Sequence, residues 1–78
     1  MSIALGNASE EDNYHAWPVL RDGEDTGLAV VHFAAGYGLV VPSKYATPGV
    51  PEKWPYRVSR GEALEDAEQW FKEKEKNA

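Results

Sequence analysis

The C-terminal part of the chain, from Ser59 onward, has the sequence pattern of one amphipathic helix. Ser59-x-x-Glu62 matches a capping box, in which the serine oxygen accepts from the Glu62 amide and the glutamate reaches back to the Ser59 amide. Val58 stands where a hydrophobic staple would pack on Ala63. The apolar residues that follow recur with helical spacing and form one stripe: Ala63, Leu64, Ala67, Trp70 and Phe71. We predict a helix from about Ser59 to the C-terminus, packed through this stripe.

Three apolar segments before this helix predict β-strands. Residues 14–20 alternate between two faces, and Pro18 makes this an expected edge strand because proline cannot donate to a ladder. Residues 28–35 favour a strand because they are β-branched and bounded by glycines, although they also fit a helical stripe. Residues 39–41 are the third strand, and residues 56–58 are a candidate fourth.

Two short motifs between the strands predict turns. Asp22-Gly23 suits a hairpin turn because both residues tolerate positive φ. A longer loop that extends to Gly27 is the alternative, so the sequence leaves the register open. Gly36-Tyr37-Gly38 is half of a dinucleotide-binding fingerprint, but a β-branched run follows it where that motif needs a helix. We therefore interpret it as a turn.

Together these segments predict an α+β fold: a small antiparallel sheet of three to four strands with one C-terminal amphipathic helix packed on one face. The domain is expected to span residues 14–78. Residues 1–13 are polar and acidic with little periodicity, which predicts a flexible acidic N-terminal arm. Residues 43–55 contain three prolines and no period, so they predict a loop of a length that often has a function.

Composition narrows the class of protein. The 78 residues include no cysteine, so disulfides and thiolate metal sites are excluded and a reducing, cytoplasmic location is expected. No apolar run reaches the roughly 18 residues of a membrane span, so we expect no membrane association. The net charge of −5 makes nucleic-acid binding an unlikely main function. Residues 42–61 nevertheless carry a net +3 between two acidic parts of the chain.

The sequence contains no catalytic motif, and we predict a protein that is not an enzyme and needs no cofactor or metal. His15 and His32 lie on adjacent predicted strands and would approach each other if those strands pair. A metal site of this kind normally needs a third ligand, and the sequence offers only scattered acids such as Asp12 or Glu24. Ordinary sheet positions are therefore the simpler interpretation of both histidines.

The segment before the helix combines aromatic and cationic residues of the kind that anchor protein interfaces. Trp54 and Tyr56 alternatively fold back to complete the thin core of a small domain, and the sequence does not decide between core and interface. Acidic residues at the start of the helix offer a second surface. The candidate protein-binding residues are Lys44, Tyr45, Lys53, Trp54, Tyr56, Arg57, Glu62, Glu65 and Asp66.

These observations predict a small acidic, non-enzymatic protein-binding module. In size and charge alone, with no shared motif, the chain resembles the acidic inhibitors that phages and mobile elements direct at host machinery, including anti-CRISPR proteins. That resemblance implies a nucleic-acid-binding host protein or complex as partner, with the carboxylates in residues 10–12, 22–25 and 62–68 replacing phosphates. The alternative is a single-stranded nucleic-acid-binding protein that uses residues 44–60. A homodimer paired through the strand at 14–20 is a further expectation.

Overall fold

The computed structural model describes residues 2–34, 36–51 and 53–76. Four β-strands precede one helix: β1 (Ile3–Leu5), β2 (Ala16–Arg21), β3 (Glu24–Phe33), β4 (Gly36–Val40) and α1 (Arg60–Lys76). A single 3₁₀ turn, Ser43–Tyr45, lies between β4 and α1. The strands form one antiparallel sheet in the order β1-β2-β3-β4, and α1 packs on one face. The predicted α+β fold is confirmed.

The hairpin between β2 and β3 resolves the register that the sequence left open. Asp22 and Gly23 have φ angles of 52° and 86°, the positive values that a tight two-residue hairpin turn requires. Arg21 pairs with Glu24, so β3 begins directly after the turn. The strand predicted at 28–35 is confirmed as far as Phe33, and Ala35 lies outside the described residues.

Pro18 lies in an interior strand, so the prediction of an edge strand at 14–20 is wrong. β2 pairs with β1 on one side and with β3 on the other. The carbonyl of Pro18 accepts from the Gly6 amide at 2.8 Å, just beyond the end of β1. The nitrogen and the carbonyl of Pro18 face the β1 side of β2. The pairing with β1 ends at Val19, so the N–H that proline lacks is not needed for this pairing. This strand also offers no free edge for the homodimer that the sequence suggested.

The N-terminal segment belongs to the sheet, which corrects the prediction of a flexible arm over residues 1–13. Ile3 pairs with Arg21 and Leu5 with Val19, and both apolar side chains pack against the core. The amide of Ser9 then donates to the carbonyl of Ala16 at 2.8 Å, so the segment follows β2 after β1 has ended. Met1 lies outside the described residues.

Gly36-Tyr37-Gly38 is part of β4, so its interpretation as a turn is wrong. Tyr37 pairs with His32, and Gly38 pairs with Val31. Gly38 is required by a close approach, since a Cβ atom at this position would lie 2.5 Å from two ring carbons of Tyr56. Gly38 therefore makes room for an aromatic ring on the sheet, and Gly36 makes room for the backbone of the closing segment.

Helix α1 begins as its capping sequence predicts. The Glu62 amide donates to Ser59 Oγ at 3.3 Å, and the Ala63 amide donates to the Ser59 carbonyl at 3.2 Å. The Glu62 carboxylate accepts from the Ser59 hydroxyl at 3.4 Å, in place of the backbone amide that a full capping box would use. The predicted staple is wrong, because Val58 is 87% exposed. Residues 77 and 78 of the predicted helix lie outside the described part of the chain.

The core lies between α1 and the inner face of the sheet. The helix contributes the predicted stripe, with Leu64 half-buried and the other four members buried. Trp70 is 1% exposed, and its ring meets that of Phe71 edge-on with the centroids 4.9 Å apart. The remaining buried members of this core come from the sheet and the long loop: Val19, Leu28, Val30, Leu39 and Val50.

Residues 53–57, here named the closing segment, run along the outer edge of β4. Lys53 and Arg57 each form one isolated antiparallel bridge, to Val40 and Tyr37 respectively. The predicted fourth strand at 56–58 does not form, because only Arg57 of these residues makes a bridge to β4. The fourth strand of the sheet is β1. The closing segment still covers the edge of the sheet that β4 would otherwise leave open.

Candidate protein-binding surface

The face of the sheet opposite α1 carries exposed apolar side chains on β3 and β4, where no helix or further strand of the described chain packs on it. Strand pairing defines this outer sheet face, because directly opposed residues in antiparallel strands point to the same side. Val30 and Leu39 are paired and lie in the core, so the alternate pairs Ala29–Val40, Val31–Gly38 and Phe33–Gly36 face outward. On β3, β4 and the closing segment, the outer sheet face consists of Ala29, Val31, Phe33, Val40, Lys53 and Tyr56. β2 adds Ala16 and Pro18, which pair with Val31 and Ala29.

Three large apolar side chains on this face are exposed to solvent. Phe33 is 63% exposed, Tyr56 59% and Val40 43%. Single exposed apolar residues are ordinary on protein surfaces, but a contiguous group on one flat face is typical of an interaction surface. These three lie on neighbouring strands or on the closing segment beside them, so they form one patch.

Tyr56 and Phe33 form the centre of the patch. Their ring centroids are 6.0 Å apart, and the ring planes are inclined by 27°, which is a stacked arrangement. The Tyr56 ring lies over Gly38, and its Cβ lies over Gly36, where larger side chains would prevent this contact. The sheet thus holds Tyr56 flat and leaves more than half of its surface exposed.

Shallow grooves border these rings. One, of about 390 Å³, is lined by Val31, Val40, Lys53 and Trp54 as well as by Tyr56. A second, of about 530 Å³, extends from Phe33 over Ala29 and Val31 to Pro42. Both are open and mostly apolar, with Lys53 at the rim of the first. This geometry suits side chains of another protein better than an enclosed small molecule.

The closing segment divides its candidate residues between two sides of the sheet. Lys53 pairs with Val40, and Tyr56 packs on Gly38, so both lie on the outer sheet face. Trp54 instead packs half-buried against the core, and its indole Nε1 donates to the carbonyl of Pro51 at 3.1 Å. The sequence left open whether Trp54 and Tyr56 belong to the core or to the surface. In the structure Trp54 extends the core and Tyr56 lies at the surface.

Arg57 and Asp66 form an ion pair that ties the closing segment to α1. Arg57 Nε donates to Asp66 Oδ2 at 2.8 Å, and Nη2 donates to Oδ1 at 2.9 Å, so the contact is bidentate. The hydrogen bond to Asp66, followed by its negative charge, raises the pKa of Arg57 above the ordinary arginine value. Asp66 is buried, and both its oxygens are engaged. The structure thus gives these two predicted binding residues an internal partner.

The other predicted binding residues lie away from this patch. Tyr45, in the 3₁₀ turn, is half-buried and lies over Gly27, and the Lys44 ammonium is 5.2 Å from the centre of the Tyr45 ring. Glu62 and Glu65 are exposed on α1, where Glu62 also contributes to the helix cap. The cations and aromatic rings of residues 44–60 therefore do not form one continuous surface.

Sequence reasoning missed the strand residues of the outer sheet face, although a signal for them was present. Residues 28–33 are apolar at nearly every position, whereas a strand covered on one side alternates between apolar and polar residues. The sequence predicts only one helix to cover the sheet. One helix can cover only one face of the sheet. A strand that is apolar on both faces therefore predicts that the other apolar face is exposed to solvent.

Comparison of the chain with protein-family models, with curated proteins and with solved structures finds no match. Within the described residues, no group of three or more histidine, cysteine, aspartate and glutamate side chains is placed to hold a metal ion. The helix found in that part of the chain is too short and too polar to cross a membrane.

Proposed function

We propose that this chain is a non-enzymatic protein-binding module that contacts its partner through the outer sheet face. The observation that carries the proposal is the exposure of Phe33, Val40 and Tyr56 side by side on a sheet face without a covering layer. Burying such rings against a partner would recover the hydrophobic free energy that the isolated domain leaves unused.

The composition of this face favours a protein partner over a nucleic acid. Its one cation, Lys53, is exposed and has no ion-pair partner within the described residues. Arg57, the nearest other cation of the closing segment, is held by Asp66 on the helix side. Binding to a phosphate backbone depends on several cations acting together. We therefore expect a partner with an apolar patch and a carboxylate opposite Lys53.

The more specific idea, an inhibitor of host nucleic-acid machinery, concerns a different surface. It requires carboxylates that face solvent, and α1 supplies Glu62 and Glu65 on its exposed side. Because Asp66 is engaged by Arg57, it would not contribute to such mimicry. This version of the proposal predicts that charge reversal at Glu62 and Glu65 weakens partner binding, whereas the outer-face version predicts no effect.

Site-specific photo-crosslinking tests the outer-face proposal. A photoreactive amino acid replaces Tyr56 in one sample and Tyr14 in the other, because both tyrosines are 59% exposed. We expect one protein to be crosslinked from position 56 and not from position 14. Purified partner is then titrated against Phe33→Ser and Tyr56→Ser, each of which is expected to weaken binding about 30-fold or more, as central interface aromatics do.

Tyr14→Ser is the matched control, since it removes an equally exposed tyrosine from the turn before β2 and is expected to leave the affinity unchanged. Circular dichroism confirms that each variant remains folded. Unchanged affinity in folded Phe33→Ser and Tyr56→Ser would refute the proposal. Crosslinking from position 14 alone, or to no protein, would also refute it.

A further inference from the structure

His15 and His32 lie side by side at one end of the sheet. The His32 amide donates to the His15 carbonyl at 2.7 Å, so the two residues are direct neighbours across the β2–β3 pairing. Their side chains point to the same face, and the ring centroids are 5.6 Å apart with the planes inclined by 35°. Both residues are exposed. His32 pairs with Tyr37 on the inner side of the sheet, and at this end of the sheet both histidines also border the second groove of the outer sheet face.

The spacing of the two rings matches chelation of one metal ion. With Zn–N bonds of about 2.0–2.1 Å, each ring centroid lies about 3.2 Å from the metal, so two imidazoles on a tetrahedral ion have centroids about 5.2 Å apart. The observed 5.6 Å exceeds this by a small amount. A modest rotation of two exposed side chains closes such a gap.

Both imidazoles are available as ligands. Neither ring makes a hydrogen bond to another described residue. His32 stacks on Tyr37 with the centroids 4.7 Å apart, which limits the orientations of its ring. Asp12, whose carbonyl accepts from the His15 amide at 3.0 Å, lines the same groove as both histidines and adds negative charge nearby.

We propose that His15 and His32 form a two-histidine site for a divalent transition metal of the Zn²⁺ class. Imidazole suits Zn²⁺, Cu²⁺ and Ni²⁺, whereas Mg²⁺ prefers oxygen ligands. The described residues supply no third ligand, so water fills the remaining coordination positions. The bound ion links the residue just before β2 to β3, and it stabilises the folded state because the unfolded chain does not hold the two rings together.

The test is a titration of the full chain with ZnCl₂, followed by the NMR signals of the two imidazoles and by the melting temperature. We expect the NMR signals of both imidazoles to shift together and to stop changing at one Zn²⁺ ion per chain. We also expect the melting temperature to rise. MgCl₂ at the same concentration should produce neither effect.

Two variants, His15→Asn and His32→Asn, complete the test. Each leaves a single imidazole, and we expect Zn²⁺ affinity to fall more than about tenfold in either case. Glu65→Gln is the control, since it removes an exposed carboxylate on α1 and keeps both ligands, and we expect it to leave Zn²⁺ affinity unchanged. The proposal is overturned if only one imidazole shifts in the unaltered chain. It is also overturned if both histidine variants bind as before, or if Mg²⁺ has the same effect as Zn²⁺.

Discussion

Replacing Trp70 with alanine is expected to remove a large share of the stability of this domain. The side chain is 1% exposed and contacts Phe71 edge-on, while Lys74 Nζ lies 5.0 Å from the centre of its ring. A tryptophan buries about 150–250 Å². At about 25 cal/mol per Å², that area corresponds to about 4–6 kcal/mol of hydrophobic free energy.

The expected loss for Trp70→Ala is about 3–5 kcal/mol, because alanine retains the Cβ and the surroundings relax into part of the cavity. A chain of 78 residues has a total free energy of unfolding of about 4–12 kcal/mol at the usual value per residue. The variant should therefore unfold at a much lower urea concentration, or be partly unfolded without urea.

The assay is urea unfolding followed by circular dichroism at 222 nm, which reports on α1 and avoids the fluorescence of the other two tryptophans. Val58→Ala is the control, because Val58 is 87% exposed and its loss should change stability by less than about 0.5 kcal/mol. A Trp70→Ala variant that loses less than about 1 kcal/mol, with an unchanged dependence on urea, would refute the assignment of Trp70 to the centre of the core.

Three further predictions concern the helix cap, the closing segment and the outer sheet face. Ser59→Ala should lower the free energy of unfolding by about 1 kcal/mol in urea denaturation, because the Glu62 amide loses its acceptor, and an unchanged midpoint would contradict the cap. Asp66→Asn should speed hydrogen exchange at the Arg57 amide while α1 stays protected, and equal exchange would show that the ion pair does not hold the segment. Gly38→Ala should displace the Tyr56 ring, visible as changed ring shifts in NMR, whereas unaltered shifts would contradict the close packing.

The elements that the sequence predicts well are those with local signals. The helix has a cap, an apolar stripe and complementary end charges within one continuous stretch, and its observed start at Arg60 follows from Ser59. The turn signal of the hairpin is also local, since Asp22-Gly23 adopts the positive φ angles that this dipeptide tolerates best, but the sequence left the register open.

The wrong predictions share a dependence on distant parts of the chain. Pro18 predicts an edge strand, but β1 pairs with residues 19–21 of β2. β1 ends before it reaches Pro18, so no ladder hydrogen bond requires an N–H there. Residues 1–13 show no strand-like alternation of apolar and polar residues, because β1 is only three residues long and too short to display a period. Gly36-Tyr37-Gly38 has the glycines of a turn, but their role is to make room for Tyr56, which lies about twenty residues later in the sequence.

The candidate surface was anticipated only in part for the same reason. The sequence singled out Lys53 and Tyr56 by residue type, and the structure places both on the outer sheet face. It also grouped them with Trp54 and Arg57, which lie on the other side of the sheet, because the closing segment forms only two isolated bridges and does not alternate as a regular strand does. Phe33 and Val40 join the surface through strand pairing, which composition does not show.

The consecutive order of the four strands has a consequence for how the chain folds. Every strand pairs with its neighbour in sequence, so the sheet forms by adding one hairpin after another and needs no crossover connection. Closing these connections costs less entropy than closing a long crossover, so we expect the hairpins to form without a slow long-range pairing step. The tight turn at Asp22-Gly23 is the natural place for the first pairing. We expect α1, which contacts both β1 and β4, to dock once these strands have paired.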